Sequence, residues 1–216
     1  ISSNVDIIQF GLKSYRNSTL IREKKPSSKK EYHNLKNFLN ANELKPVCAW
    51  LHLFKLEVIK RNNILFNSNL KHGEDMLFVY SVYCHAHKIL VLDKVLYNQI
   101  LSPNSASRKP IKIKVLFDSL LFLSELTKYV HENGLSNEFK EELKKLSKRI
   151  FILPLLLDDK LEFSENKKVI QSIYNLLYDN NVLIFNGFYH KVARVDISLL
   201  VFLLKIVNKF KKVKYA

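Results

Sequence analysis

The stretch His72-Gly73-Glu74-Asp75-Met76-Leu77-Phe78-Val79-Tyr80, followed by Ile89-Leu90-Val91-Leu92-Asp93-Lys94-Val95-Leu96-Tyr97, decides the fold. Gly73 gives a flexible approach, and the two carboxylates after it sit where a helix over residues 76–87 begins. The second run is apolar and rich in β-branched residues, which predicts a strand over 89–97. A helix leading directly into a buried strand is half of an α/β unit.

Working outward, residues 5–12 read as a strand, and residues 16–30, Lys-rich with Pro26-Ser27-Ser28, as a flexible loop or cleft edge. Residues 29–40 predict a short amphipathic helix on Tyr32, Leu35, Phe38 and Leu39. Residues 47–59 place Trp50, Leu53, Phe54 and Val58 at helical spacing, and Ile64-Leu65-Phe66 reads as a short strand. From about residue 111 the period turns helical. Helices are expected over 113–133, stopped by Gly134; over 136–157, kinked or ended by Pro154; over 164–178; and over 196–214. Ser136 and Ser164 are the expected N-caps of two of them. The expected fold class is α/β, with a mixed sheet and flanking helices in residues 1–110 and an all-helical region over 111–216.

Composition bounds the function. With 216 residues, 47% hydrophobic and 12% aromatic, disordered and low-complexity classes are excluded. The formal charge of +15 invites a nucleic-acid reading, but 29 of the 35 basic residues are Lys and only 6 are Arg. Bidentate phosphate and guanine recognition prefers the Arg fork, whereas a Lys excess suits either a soluble basic surface or a protein that works beside anionic lipid. The charge is also spread, at +9 over residues 1–110 and +6 over 111–216. Cys48 and Cys84 form no CxxC pair and no framework, so neither zinc nor a disulfide scaffold is indicated, and a reducing cytoplasm is the simplest compartment. The longest apolar run, residues 197–207, is broken by Lys205 and is too short to span a bilayer. His85 and His87 would lie about 200° apart on a helix, which disfavours joint metal ligation.

A carboxylate in a first helical turn is stabilised as an anion by the dipole and the free N–H groups. Held toward a cleft, it can accept a proton from a bound hydroxyl. Acidic residues are also common in first turns with no chemistry attached, so context has to decide. That context is an ordered series: Ala49-Trp50-Leu51-His52-Leu53-Phe54-Lys55, Ile64-Leu65-Phe66, Gly73-Glu74-Asp75-Met76-Leu77-Phe78, Lys88-Ile89, Leu96-Tyr97-Asn98 and Pro103-Asn104-Ser105.

The series, over roughly residues 5–108, resembles the acceptor-side half of family 2 glycosyltransferases, the inverting GT-A type of bacterial capsule and lipooligosaccharide pathways. The resemblance implies a hexosyltransferase-like parent enzyme that takes a sugar from a nucleotide-sugar donor to a saccharide acceptor. It makes Asp75 the general base toward the acceptor hydroxyl and Glu74 its positioning neighbour. Trp50, His72 and Gly73 fall where the acceptor binds; an indole face suits the C–H face of a sugar ring. Trp50 reads equally as a core residue. The family's Arg after the strand-end Tyr is absent from Tyr97-Asn98-Gln99-Ile100, which leaves Arg108 and Lys109 as candidates to face donor phosphates. The resemblance also implies Mg²⁺ or Mn²⁺, yet the Asp-x-Asp motif is missing and Asp6 stands alone. By the family's layout about 100 residues would precede Ile1. The expectation is therefore that this chain alone lacks the donor site.

Lys24-Lys25 and Lys29-Lys30 fit either a solvated loop or contact with an anionic saccharide. The segment 196–214, apolar then Lys-rich, fits either a buried terminal helix or one lying on the anionic inner face of the bacterial cytoplasmic membrane. The alternative reading of the whole chain is a non-catalytic basic helical protein that binds nucleic acid or an anionic surface.

Overall fold

The computed structural model describes residues 4–41, 48–102, 113–149, 163–179, 191–193, 195–197, 199–200 and 202–203. The chain divides into two compact units, one up to residue 111 and one from residue 112.

The first unit is built on a five-stranded mixed sheet. Strands β1 (Ile7–Arg16), β2 (Thr19–Lys24), β3 (Lys30–Tyr32) and β5 (Ile89–Ile100) run in the order β2-β1-β5-β3. β4 (His52–Phe54) adds antiparallel to the first residues of β1, on the edge whose later residues pair with β2. β1 and β5 are parallel, Ile7 opposite Ile89 and Tyr15 opposite Ile100. A parallel pair needs a crossover, and α3 (Glu74–His85) lies in it. Residues Leu77–Tyr83 of α3 are all buried, which is what a helix apolar on every face requires. The expected helix over 76–87 and strand over 89–97 are present with shifted ends.

Several expectations change. Residues 16–30 are not one loop: Asn17 and Ser18, both at positive φ, turn β1 into β2. A two-residue turn with both central φ positive matches the twist of a hairpin. β2 is exposed along nearly its whole length, so it carries no alternating pattern and is held by backbone pairing. Residues 29–40 begin as β3, and only α1 (Leu35–Asn40) is helical, with the Asn34 side chain accepting from the Asn37 N–H as its cap. Residues 47–59 are not one helix. A 3-10 turn (Ala49–Leu51), β4 and α2 (Leu56–Arg61) follow one another, because the start of β1 offers an unpaired edge to His52–Phe54.

Ile64-Leu65-Phe66 is not a strand. The Asn63 N–H bonds to the Lys60 C=O and the Ile64 N–H to the Ile59 C=O, with Asn63 at φ 50°. Those are the two bonds of a Schellman motif, and buried Ile64 is its apolar closing residue. Phe66 then stacks on Phe78, centroids 4.2 Å apart.

The second unit is helical: α4 (Ile113–Glu132), α5 (Ser136–Ser147), α6 (Phe163–Asp179) and helical residues beyond 190. α4 packs on both α5 and α6. Its core includes Leu123, Leu126 and Val130 with Phe139, Leu143 and Tyr174. Gly134 ends α4 as expected, at φ 68°, with the Leu135 N–H reaching the Val130 C=O. Ser136 is not the N-cap of α5. Leu135 holds that position without a side-chain bond, because it also closes the preceding motif. α5 ends at Ser147, short of the expected 157; Pro154 lies outside the described residues. Gln171 fastens the segment beyond 190 onto α6, donating to the Ala193 C=O and accepting from the Ile197 N–H. Ile197 and Leu200 are buried there, while Leu199 and Phe202 are exposed; residues 204–216 lie outside the described residues. Among the described residues no helix is long and apolar enough to cross a membrane.

Candidate functional site

Gly73 precedes α3 in the left-handed region, φ 90°, and its C=O accepts the first helical bond, from the Leu77 N–H. No side chain caps this helix end. Glu74 and Asp75 follow in the first turn, both half-buried, and Asp75 Oδ1 accepts from the Met76 N–H at 2.8 Å. Burial holds the Asp75 carboxyl above its ordinary value and the Glu74 charge adds to this, against the Met76 hydrogen bond. A carboxylate so placed is a stronger proton acceptor than a free one. His72 is exposed in the bend just before Gly73.

The 3-10 turn Ala49–Leu51 packs against α3. Trp50, half-buried, stacks on Tyr97 of β5 with centroids 4.4 Å apart. Both rings rest on the cluster of Phe10, Leu12 and Leu51. Trp50 is thus partly in the core and partly exposed. Cys48 sits just before this turn. Burial first, then the Asp75 charge, pushes its thiol up to about 11, while Lys24 pulls the other way. That opposition puts Lys24 of β2, Cys48 and Asp75 in one electrostatic neighbourhood.

His52 anchors the turn. Its Nδ1 is 2.8 Å from the Cys48 carbonyl and its Nε2 is 3.2 Å from the Gln9 amide nitrogen. A carbonyl only accepts, so the proton is on Nδ1, and Nε2 accepts from Gln9. Burial pushes His52 down to about 4, against the backbone hydrogen bonds at Cys48 and Ala49, so the ring is neutral at physiological pH. This buried pair ties the Trp50 turn to β1. Gln9 was not expected at the site, because it reads as an interior strand position; Lys24 reads as a candidate saccharide contact in a loop, whereas it ends β2.

His72, Gly73, Glu74 and Asp75 are consecutive at the start of α3, and the turn that carries Trp50 packs against the same helix. Arg108 and Lys109 lie outside the described residues. Asp6 is engaged by backbone: its Oδ2 accepts from the His87 and Lys88 N–H groups at 2.8 and 3.2 Å. His85 ends α3 and His87 lies beyond it. Among the described residues no group of three or more His, Cys, Asp or Glu could hold a metal ion.

No family model matches the chain. Over 64 residues it is 33% identical to EpsJ of Bacillus subtilis, a curated protein described as an uncharacterized glycosyltransferase. That match covers 30% of this chain and 19% of EpsJ. The fold is found in TarS of S. aureus. A 1–349 chain of TarS solved with UDP superposes over 96% of this chain and 59% of its own, with TM-score 0.66 and 16% identity. The same TarS chain solved with UDP-GlcNAc gives TM-score 0.69 at 15% identity. The expected fold class, a GT-A-like mixed sheet with flanking helices, is therefore the one present. In sequence the chain is similar to a glycosyltransferase, and it spans less than two thirds of EpsJ and of the TarS 1–349 chain.

Proposed function

We propose that the chain is the acceptor-side part of an inverting glycosyltransferase that moves a hexosyl group from a nucleotide-sugar to a saccharide acceptor. The observation that carries this reading is Asp75: a half-buried carboxylate of raised pKa at the start of α3, close enough to Cys48, just before the Trp50 turn, to act on its thiol. The sugar ring of the acceptor lies on the exposed part of the Trp50 face. Asp75 takes the hydroxyl proton as the acceptor oxygen bonds to the anomeric carbon. The bond from that carbon to the donor phosphate breaks, and the nucleoside diphosphate leaves with the electron pair. One displacement inverts the anomeric centre. Glu74 raises the proton affinity of Asp75 through its charge and positions the acceptor. The similarity to EpsJ and the UDP and UDP-GlcNAc complexes of TarS support a nucleotide-sugar as donor.

We further place the parent enzyme in bacterial surface polysaccharide, capsule or lipooligosaccharide synthesis, peripheral on the inner membrane face. The family resemblance and the Lys-rich surface support this. A divalent cation beside the donor diphosphate would be held outside the described residues, and no step above runs through it. The test is nucleoside diphosphate release from a panel of UDP- and GDP-sugars with oligosaccharide acceptors, the product anomer being read by NMR. An acceptor-dependent product of inverted configuration is expected. A retained anomer, or release independent of acceptor, contradicts the proposal.

A further inference from the structure

At the leading ends of β1 and β5, the first unit has a cavity of about 490 Å³. The site residue Asp75 lies in the first turn of α3, and this cavity opens near the other end of that helix, roughly 15 Å away by helical rise. The volume falls within the range of about 300–1,000 Å³ usual for small-molecule sites.

Its charged lining groups are Lys55, Arg61 and Lys88 against Asp6 and Glu57, with the imidazoles of His33 and His87 beside them. Asp6 and Glu57 are the acidic lining groups, and neither neutralises Arg61. The Asp6 carboxylate is spent on the His87 and Lys88 backbone N–H groups, with Lys55 Nζ 3.9 Å from its other oxygen. Glu57 lies one turn before Arg61 on α2, yet the two form no ion pair within 4.0 Å among the described residues. Lys88 Nζ and His33 Nε2 share Glu31, each at 2.9 Å. Arg61 and His87 are close enough to His85 that both charges, after burial, hold its pKa below the ordinary value. Lys55 and Lys88 each face a carboxylate, whereas Arg61 has no ion pair among the described residues, so an anion entering the cavity meets an uncommitted guanidinium.

The frame is fixed. The Asp6 N–H bonds to the Lys88 C=O at 2.9 Å, and the Lys55 N–H to the Asp6 C=O at 2.8 Å. Three segments are thus knitted at one residue, so the cationic groups converge without reorganisation.

We propose that this cavity, walled by Arg61, His87, Lys55 and Lys88, binds the phosphoryl group of a small phosphorylated molecule, as a second site apart from Asp75. Arg61 supplies the fork that matches phosphate oxygens, and the remaining volume takes the body of the ligand. The proposal does not depend on the glycosyl-transfer reading.

Calorimetric titration of the full chain with inorganic phosphate, glucose 6-phosphate and glucose tests it, with the His85 ring resonances followed by NMR. Saturable binding of the phosphate ester is expected, weakened at least ~10-fold by Arg61→Ala. The His85 titration should move upward on binding, while glucose gives no heat. Equal affinity for inorganic phosphate identifies the free ion as ligand; tighter binding of the ester identifies the phosphorylated molecule. No saturation by either up to about 10 mM, unchanged affinity in Arg61→Ala, or equal binding of glucose overturns the proposal. Arg61 is exposed, so its truncation leaves the fold intact, and thermal melting of the variant verifies that.

Discussion

His52 and Asp75 are both titratable groups displaced by burial, and the displacements act in opposite senses. His52 is pushed down from 6.5 to about 4, so between those values the unfolded chain binds a proton that the folded chain refuses. Stability is then fully present above pH 6.5 and is lost as pH falls toward 4, by about 3 kcal/mol across the window. Urea unfolding at pH 7 and pH 5 should show about 2 kcal/mol of that loss in the wild type and much less of it in His52→Gln. For Asp75 the folded pKa is raised, so the folded state holds its proton to higher pH than the unfolded one. Stability from this group therefore declines as pH rises through the folded value, and Asp75→Asn should be as stable as wild type or more so at pH 7. The catalytic pH profile follows from the same sign. The acid limb of kcat/KM should fall with an apparent pKa above 3.8, the ordinary value of an Asp carboxyl.

Elements show how far local pattern reaches. Gly134 marks a helix end that was legible, because glycine takes φ 68° at no steric cost. Gly134→Ala meets nothing within 4 Å, so its cost is conformational alone, about 1–2 kcal/mol by thermal unfolding. Gly11 is the reverse case. A Cβ there would lie 2.6 Å from the Lys24 carbonyl oxygen and 2.6 Å from the Lys25 Cβ, where β2 ends against β1. Gly11→Val should therefore cost about 1–3 kcal/mol and shift Lys24, which stands near Cys48 and Asp75. A cooperative melt at the wild-type temperature would contradict the close approach. α3 and β5 were readable because their burial gives long apolar runs bounded by turn residues, and α4 because its apolar residues recur at helical spacing. β2 was not, since a strand exposed along both faces owes its existence to its neighbour's backbone. β4 was not either. Trp50, Leu53 and Phe54 have helical spacing, but Leu53 is 51% exposed and the segment is claimed by the edge of β1. Of the candidate site, the carboxylates and Trp50 could be read from local sequence. The Cys48–Lys24–Asp75 neighbourhood and the Gln9–His52 bond could not, because they join residues far apart in the chain.

At the scale of the whole molecule, a Lys-rich, strongly positive chain carries a GT-A-like sheet in one unit and a helical bundle in the other. Lys predominance favours anionic surfaces over base recognition. If the chain works beside anionic lipid, it should co-sediment with vesicles containing phosphatidylglycerol and not with phosphatidylcholine alone, and added salt should weaken binding. Equal partition to both, or to neither, contradicts a role for the charge. The central claim is that Asp75 is the base of a sugar transfer, and one comparison tests it most directly: turnover and donor affinity of the parent protein with and without Asp75→Asn. Transfer should fall by at least ~10²-fold while nucleotide-sugar affinity and melting temperature hold. Undiminished turnover in Asp75→Asn would contradict it.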